Sequence, residues 1–406
     1  MAHQVKTTTS YGQRLSNSFK GIATGFGMLI IGTILLFWNE GNFVKTKKSL
    51  QEAEGILVKV SDVSTIDPSL NGKLIHASAF ADTKDLLADE MFGVSETAIS
   101  INRKVEYYQY TEQSSSTTKD KIGGGQETIT TYTYEMKWTS SPVNSGKFND
   151  PDYRSSNFTL ANVEARTEYA KNVSFGEYKL PSFIITSISG SVPAQVNFGE
   201  EERAQWEKAI ADKRAALNLQ PDTIPVQRVH ASDNVVYFGK STAVPSVGDV
   251  RITLSKTMPA DISIIARVNG STFESYVASN GKTVSKTAMG TVSSEKMFAD
   301  AHSSNSTWTW ILRFIGIFLV MGGLKAMFGF LPTLFKVLPF LGDIVGAGVG
   351  LVCSIVGGAW SLVVIAIAWL WYRPLIGIAF LLVAAAGIWL LKKKGKKVEI
   401  VEKTEQ

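Results

Sequence analysis

The side chains able to do chemistry are scattered. His76, His230 and His302 lie far apart, and none has a Cys, Asp or Glu at the spacing of a metal site. Each reads as a surface or hydrogen-bonded core histidine. Asp249-Val250-Arg251 sets an acid beside a base, yet Pro245, Gly248 and the strand pattern that follows read as a turn closed by an ion pair. Gly123-Gly124-Gly125 lacks the helix and the Lys-Ser/Thr of a phosphate loop. Cys353 lies in an apolar run with no histidine nearby to act as its base. The reading is therefore not an enzyme, with no catalytic, metal-ligating or cofactor-binding residue. A hydrolase site scattered through the polar middle is the least favoured alternative.

Charged residues at the edges of apolar runs are more telling. Glu40 follows Phe37-Trp38-Asn39, Arg313 follows Trp308-Thr309-Trp310, and Tyr372-Arg373-Pro374 closes a long apolar stretch. A carboxylate at such an edge is either a plain interfacial acid or the partner of a cation on the same face, here Arg313 or Arg373. Trp38, Asn39, Glu40, Arg313, Tyr372, Arg373 and Pro374 are the expected structural and interface residues.

What positions them is the distribution of apolar residues. A bilayer core of about 30 Å needs ~20 helical residues to cross it. The boundaries read as a basic cytoplasmic segment at 1–20, a first span at 21–38, and a polar insertion at 39–307. A second span follows at 308–330, an interfacial or re-entrant piece at 331–343, a third span at 344–372, a fourth at 374–391, and a basic tail at 392–406. Residues 327–341 contain Pro332, Lys336 and Pro339, too interrupted for a clean span. The fold class is a multipass α-helical membrane protein of four spans. A large strand-dominated α+β extracytoplasmic domain is inserted between spans one and two.

Four spans put both termini on one side. The basic N-terminus, the lysines after Leu391, and Lys325 and Lys336 all favour the cytoplasm, so the insertion faces away from it. The mean hydropathy of +0.06 averages a polar middle with two apolar ends. The net charge of +5 is carried largely by the terminal lysines, a topogenic flank, and nucleic acid is not an expected partner. One cysteine excludes an intrachain disulfide.

Within the insertion, Tyr132, Tyr134, Met136 and Trp138 alternate with polar residues as a half-buried strand does, and residues 104–111 read as its partner. The Ser- and Gly-rich stretch 112–127 between them reads as a mobile hairpin tip. Further strands are expected at 235–238, 250–255, 262–268 and 272–277, a helix at 200–219, and a shorter helix at 86–91. Gly21-x-x-x-Gly25 and Gly346-x-x-x-Gly350 have the spacing of close helix contacts, within one chain or between chains.

Several segments resemble one family in order and placement. They are Phe37-Trp38-Asn39-Glu40-Gly41, Val105-Glu106-Tyr107-Tyr108-Gln109-Tyr110, Asn144-Ser145-x-x-Phe148, Val173-x-x-Gly176-x-Tyr178-x-Leu180, Pro245-x-Val247-Gly248-Asp249-Val250-Arg251 and Trp369-Leu370-x-Tyr372-Arg373-Pro374-Leu375. Together they are similar to the transmembrane protein 43, or LUMA, family. The resemblance implies four spans and a large lumenal domain. In animals it implies the endoplasmic reticulum and inner nuclear membrane, self-association and the organisation of envelope proteins. For a bacterial member it implies a cytoplasmic membrane with a periplasmic domain. The Ser114–Gly125 stretch and the lysine-rich tail depart from the pattern, and the family supplies no catalytic residues.

The expected function is a membrane or envelope organising scaffold. It would self-associate as a homo-oligomer and recruit membrane lipid or other membrane and envelope proteins through the extracytoplasmic domain. A channel or transporter subunit is the alternative, and it needs a polar path that the spans, with Ser354 and Ser361, scarcely supply.

Overall fold

A computed structural model describes residues 3–220 and 226–374. The expected fourth span and the lysine tail lie outside the described residues. The chain divides into two units. One is strand-rich and comprises Met1–Lys6, Ala53–Thr117 and Ile129–Phe298; the other is helical and comprises Thr7–Glu52, Thr118–Thr128 and Ala299–Gln406.

The principal strands are β1 (His3–Thr9), β2 (Leu74–Thr83), β3 (Ser100–Asp120), β4 (Gln126–Thr139), β5 (Val235–Phe238), β6 (Val250–Thr257) and β7 (Ala260–Asn269). One sheet runs β1-β4-β3-β6-β5 and ends on Val229–Ser232. In it β6 pairs antiparallel with β3 from Val250↔Tyr107 to Thr257↔Ser100. Its core gathers Val105, Phe238, Ile252 and Leu254 against the helix Glu200–Ala216, through Ile210 and Trp206. A second sheet is built on β2 and β7, whose Ile75, Ala77, Ile262 and Ile264 pack with Phe175 and Tyr178. Alternating burial along β6 is what period-2 apolar patterning produces, whereas β7 is buried continuously over residues 262–266, as a strand covered on both faces is.

Two local expectations are corrected. The segment expected as a helix at 86–91 is a strand, Leu86–Asp89, followed by a single 3-10 turn, Glu90–Phe92. Its residues are good helix formers, but Leu86–Asp89 pairs with Val94–Thr97 across Gly93, which sits at φ 64°. Tertiary pairing overrides a weak propensity. The stretch 112–127, expected to be a mobile tip, is mostly strand, because β3 continues to Asp120 and β4 resumes at Gln126. Only Lys121–Gly125 turns, with Lys121 N–H bonded to Gly125 C=O at 2.8 Å.

The helical unit is built on α1 (Tyr11–Ile56), α2 (Ser294–Phe328), α3 (Phe330–Phe335) and α4 (Pro339–Tyr372). Three helices are long and apolar enough to cross a membrane: Tyr11–Ile56, Ser294–Phe335 and Pro339–Tyr372. The chain therefore has a strand-rich domain and membrane-type helices, as expected.

The helices overrun the expected edges. α1 continues past Trp38 to Ile56 because Gln51-Glu52-Ala53-Glu54 still favours helix, and α2 begins at Ser294, well before Trp308. Pro339 opens α4 rather than breaking it, since a first-turn proline lacks only an N–H that would have no partner. α1 and α2 meet through glycines. A Cβ on Gly25 would stand 2.5 Å from Gly323 C=O, and one on Gly323 would stand 2.7 Å from Gly25 C=O. The first small-residue motif is thus consumed within the chain. Leu36, Val320 and Val364 form the core where all three long helices meet.

Candidate functional site

At one end of the helical unit, α1, α2 and α4 each contribute one polar group to a shared cluster. Glu40, fully buried on α1, receives two hydrogen bonds from Arg313 of α2, Nε to Oε1 at 2.5 Å and Nη2 to Oε2 at 2.8 Å. Trp369 of α4 donates its indole N–H to Oε2 at 2.8 Å. The Arg313 guanidinium also lies over the Trp310 ring, 4.7 Å from its centroid. A planar fork on a carboxylate in a site shielded from water is the strong form of ion pair, and it fixes helix rotation as well as distance.

The neighbouring residues tie the same three helices together. Asn39 donates to Thr309 C=O at 3.0 Å, and Asn305 donates to Phe43 C=O at 3.2 Å. The Tyr372 ring packs on Phe37 and lies so close to Gly41 that a Cβ there would stand 2.5 Å from it. Arg373 sits over Phe43 at 4.7 Å and over Trp369 at 5.5 Å. Trp38 is more than half exposed. Of the residues singled out from sequence, Asn39, Glu40, Arg313, Tyr372 and Arg373 converge. Trp38 faces outward, and Pro374 follows the end of α4. Trp369 was missed. The available signal was its position one turn before Arg373, which puts both on one helix face.

The other end of the helical unit is held by different charges. Asp120, in the hairpin turn region, accepts from Arg14 at 2.9 Å and from Lys336, which also pairs with Asp343. Arg14 donates to Gly124 C=O at 2.9 Å, and Gly123 N–H reaches Val337 C=O at 3.0 Å. Burial pushes the Asp120 carboxyl up, but Lys336 and Arg14 outweigh it and hold it below its ordinary value. Burial pulls Lys336 down, and its two carboxylate partners outweigh that and hold it above. Arg14 and Glu40 are separated by 26 residues of one helix, about 39 Å. The expected division therefore meets a specific observation. The segment Thr118–Thr128, from the insertion, sits with Arg14 and Lys336, which were both expected on the opposite membrane face.

β1 repeats the point independently. It precedes the first apolar run yet hydrogen-bonds to β4, which follows it, with Gln4 on Thr131 and His3 beside Tyr132.

In the strand-rich unit, Asp249 accepts from Tyr237 O–H at 2.5 Å and from Ser246 N–H at 2.8 Å. Burial raises both groups' pKa values. Arg251 turns instead to Glu106 on β3, at 2.8 Å, with Trp138 under its guanidinium. These are turn and cross-strand contacts, with both Asp249 bonds spent inside the protein. His230 bonds to Gly239 C=O and His76 to Val292 C=O, each through a ring nitrogen.

Comparison with known proteins decides the family. The family model described as Transmembrane protein 43 matches residues 107–374. Mouse Transmembrane protein 43 is 30% identical over 375 residues, covering 89% of this chain and 87% of that protein. This chain belongs to the transmembrane protein 43 family. The human protein of that name is 28% identical, covering 92% of this chain and 90% of its own length. The fruit-fly Transmembrane protein 43 homolog is 23% identical, with 89% and 91% covered. No solved structure matches. The match starts within β3 and spans the hairpin, α2 and α4 with their Arg313 and Trp369, whereas α1 with Glu40 and Asn39 precedes it.

Proposed function

We propose that this transmembrane protein 43 family member is a self-associating membrane organiser whose three described long helices cross the bilayer. The observation that carries the reading is the open-edged ribbon β1-β4-β3. The chain leaves the helical unit at Glu52, beyond the Glu40 end, and returns at Thr118, docked at the Arg14 end. With α1 crossing the membrane, the intervening chain crosses too. β3, at 21 residues, is about 70 Å long.

Beyond Tyr110 no strand borders the outer edge of β3 among the described residues, and β1 ends its sheet. Backbone at membrane depth is tolerated only where protein or a water-filled cavity covers it, because each unpaired N–H or C=O costs several kcal/mol in lipid. A second copy covering these edges supplies the missing partners, and that supports self-association. The Glu40–Arg313–Trp369 cluster then holds the three helices together, and the strand-rich unit recruits envelope proteins. Crosslinking in native membranes, followed by mass determination, tests this: a discrete homo-oligomer supports it and a monomer rejects it.

The ribbon also favours one second reading. Ser114, Ser115, Ser116, Thr117 and Thr118 are exposed and hydroxylated, the kind of surface that lines water. Ion flux through liposomes bearing the purified protein would support a channel subunit instead.

A further inference from the structure

A cavity of about 430 Å³ opens beside the Glu40 cluster, between Val44, Lys47, Lys48 and Gln51 on α1 and the Tyr372–Pro374 end of α4. Lys47 and Lys48 are exposed, and neither has an ion-pair partner among the described residues. Arg373, on the opposite wall, keeps Nη2 buried with no acceptor among the described residues. A buried donor left unpaired is unfavourable, so this wall favours an acceptor. Three cations converge on one cavity whose floor is apolar and aromatic.

We infer that this cavity binds the phosphate headgroup of an anionic phospholipid. Depth supports a lipid over a soluble anion. Trp38, Trp308, Trp310 and Trp371 are exposed around this end of the helices, the pattern of an aromatic belt at headgroup level. Tyr372 meets Gly41, less than one turn past Trp38, so the cavity starts at that level. Side chains on a helix lean toward its N-terminus. α1 runs away from the membrane here, so Lys47 and Lys48 lean back toward the headgroups. Below the cavity, Ile367 of α4 and Ile34 of α1 are exposed and offer apolar faces to the acyl chains. The guanidinium and two ammonium groups match a phosphodiester's charge, with Arg373 able to give directed hydrogen bonds and the lysines acting as point charges. This inference uses only the helical unit and the membrane crossing of α1; it does not rest on self-association.

The test is lipid retention by the full-length protein in nanodiscs of phosphatidylcholine, with and without phosphatidylglycerol, read by native mass spectrometry and by thermal melting. The wild type should retain phosphatidylglycerol at least tenfold over phosphatidylcholine. Lys47→Gln with Lys48→Gln should lose most of that preference while melting normally in phosphatidylcholine alone. Equal retention of both lipids by the wild type would overturn the proposal. So would an equal loss from Lys20→Gln, at the far end of α1, which would mark general attraction rather than a site. Stabilisation by inorganic phosphate equal to that by phosphatidylglycerol would overturn the lipid assignment in favour of a soluble anion.

Discussion

Glu40 and Arg313 lie 273 positions apart and meet in a two-point fork that closes on Trp369. Removing one member of a buried pair strands the other charge, at a cost of roughly 3–5 kcal/mol. Glu40→Lys should therefore sharply lower the melting temperature in detergent, and Glu40→Gln, which keeps an acceptor for Trp369, should lower it less. Equal melting of Glu40→Lys and wild type would show that the fork does not hold the helices.

The two glycine motifs should behave differently. Gly25 has no room for a side chain because Gly323 and Met327 of α2 stand against it, whereas nothing lies within 4 Å of a Cβ on Gly350. Gly25→Leu should disrupt the fold of the single chain, seen as loss of monodisperse protein. Gly350→Leu should leave the monomer intact and weaken any oligomer whose contact uses α4. Normal folding of Gly25→Leu would refute the close α1–α2 contact.

The hairpin clamp carries a defined pH window. The folded pKa of Asp120 is depressed, so its contribution is complete above the ordinary carboxylate value of about 3.9 and is lost as pH falls through the lowered one. That of Lys336 is raised, so its contribution is complete below about 10.4 and is lost as pH rises beyond the raised value. Between these limits the Gly123 amide should be protected from hydrogen exchange, and Asp120→Asn should reduce that protection about tenfold. Unchanged exchange in the variant would show that the turn is not held by Asp120.

Topology can be read with thiol probes after replacing the lone Cys353 by alanine. Gly123→Cys and Lys47→Cys should react with a membrane-impermeant maleimide from opposite sides of sealed vesicles. The turn docks beside Arg14 and Lys47 lies past Glu40, at opposite ends of the apolar part of α1. Labelling from one side only would mean that α1 does not cross between them.

The sequence made the Glu40 cluster partly legible because charges at the ends of apolar runs have few ways to be satisfied. Glu40 and Arg313 both follow tryptophans and were expected on one membrane face. The role of Trp369 was hidden, because which face of α4 turns toward α1 depends on packing and not on local pattern. The strands expected at 235–238 and 250–255 were visible from alternation, and the second continues to Thr257. The extended hairpin was not, since runs of serine, threonine and glycine have no apolar period and gain their order from Arg14, Lys336 and Val337, all distant in sequence. Leu86–Asp89 misled because residues that favour a helix alone were recruited into a strand pair.

On the proposed function, copies of this chain cover one another's ribbon edges. The most direct measurement places single cysteines at Ser115 of β3 and Thr8 of β1, in a background lacking Cys353, and oxidises intact membranes. Disulfide-linked dimers that survive denaturing electrophoresis, and that fail to form from cysteines on the exposed face of the Glu200–Ala216 helix, are the predicted result. Monomers at every position, with the protein shown to be folded and inserted, would contradict the account.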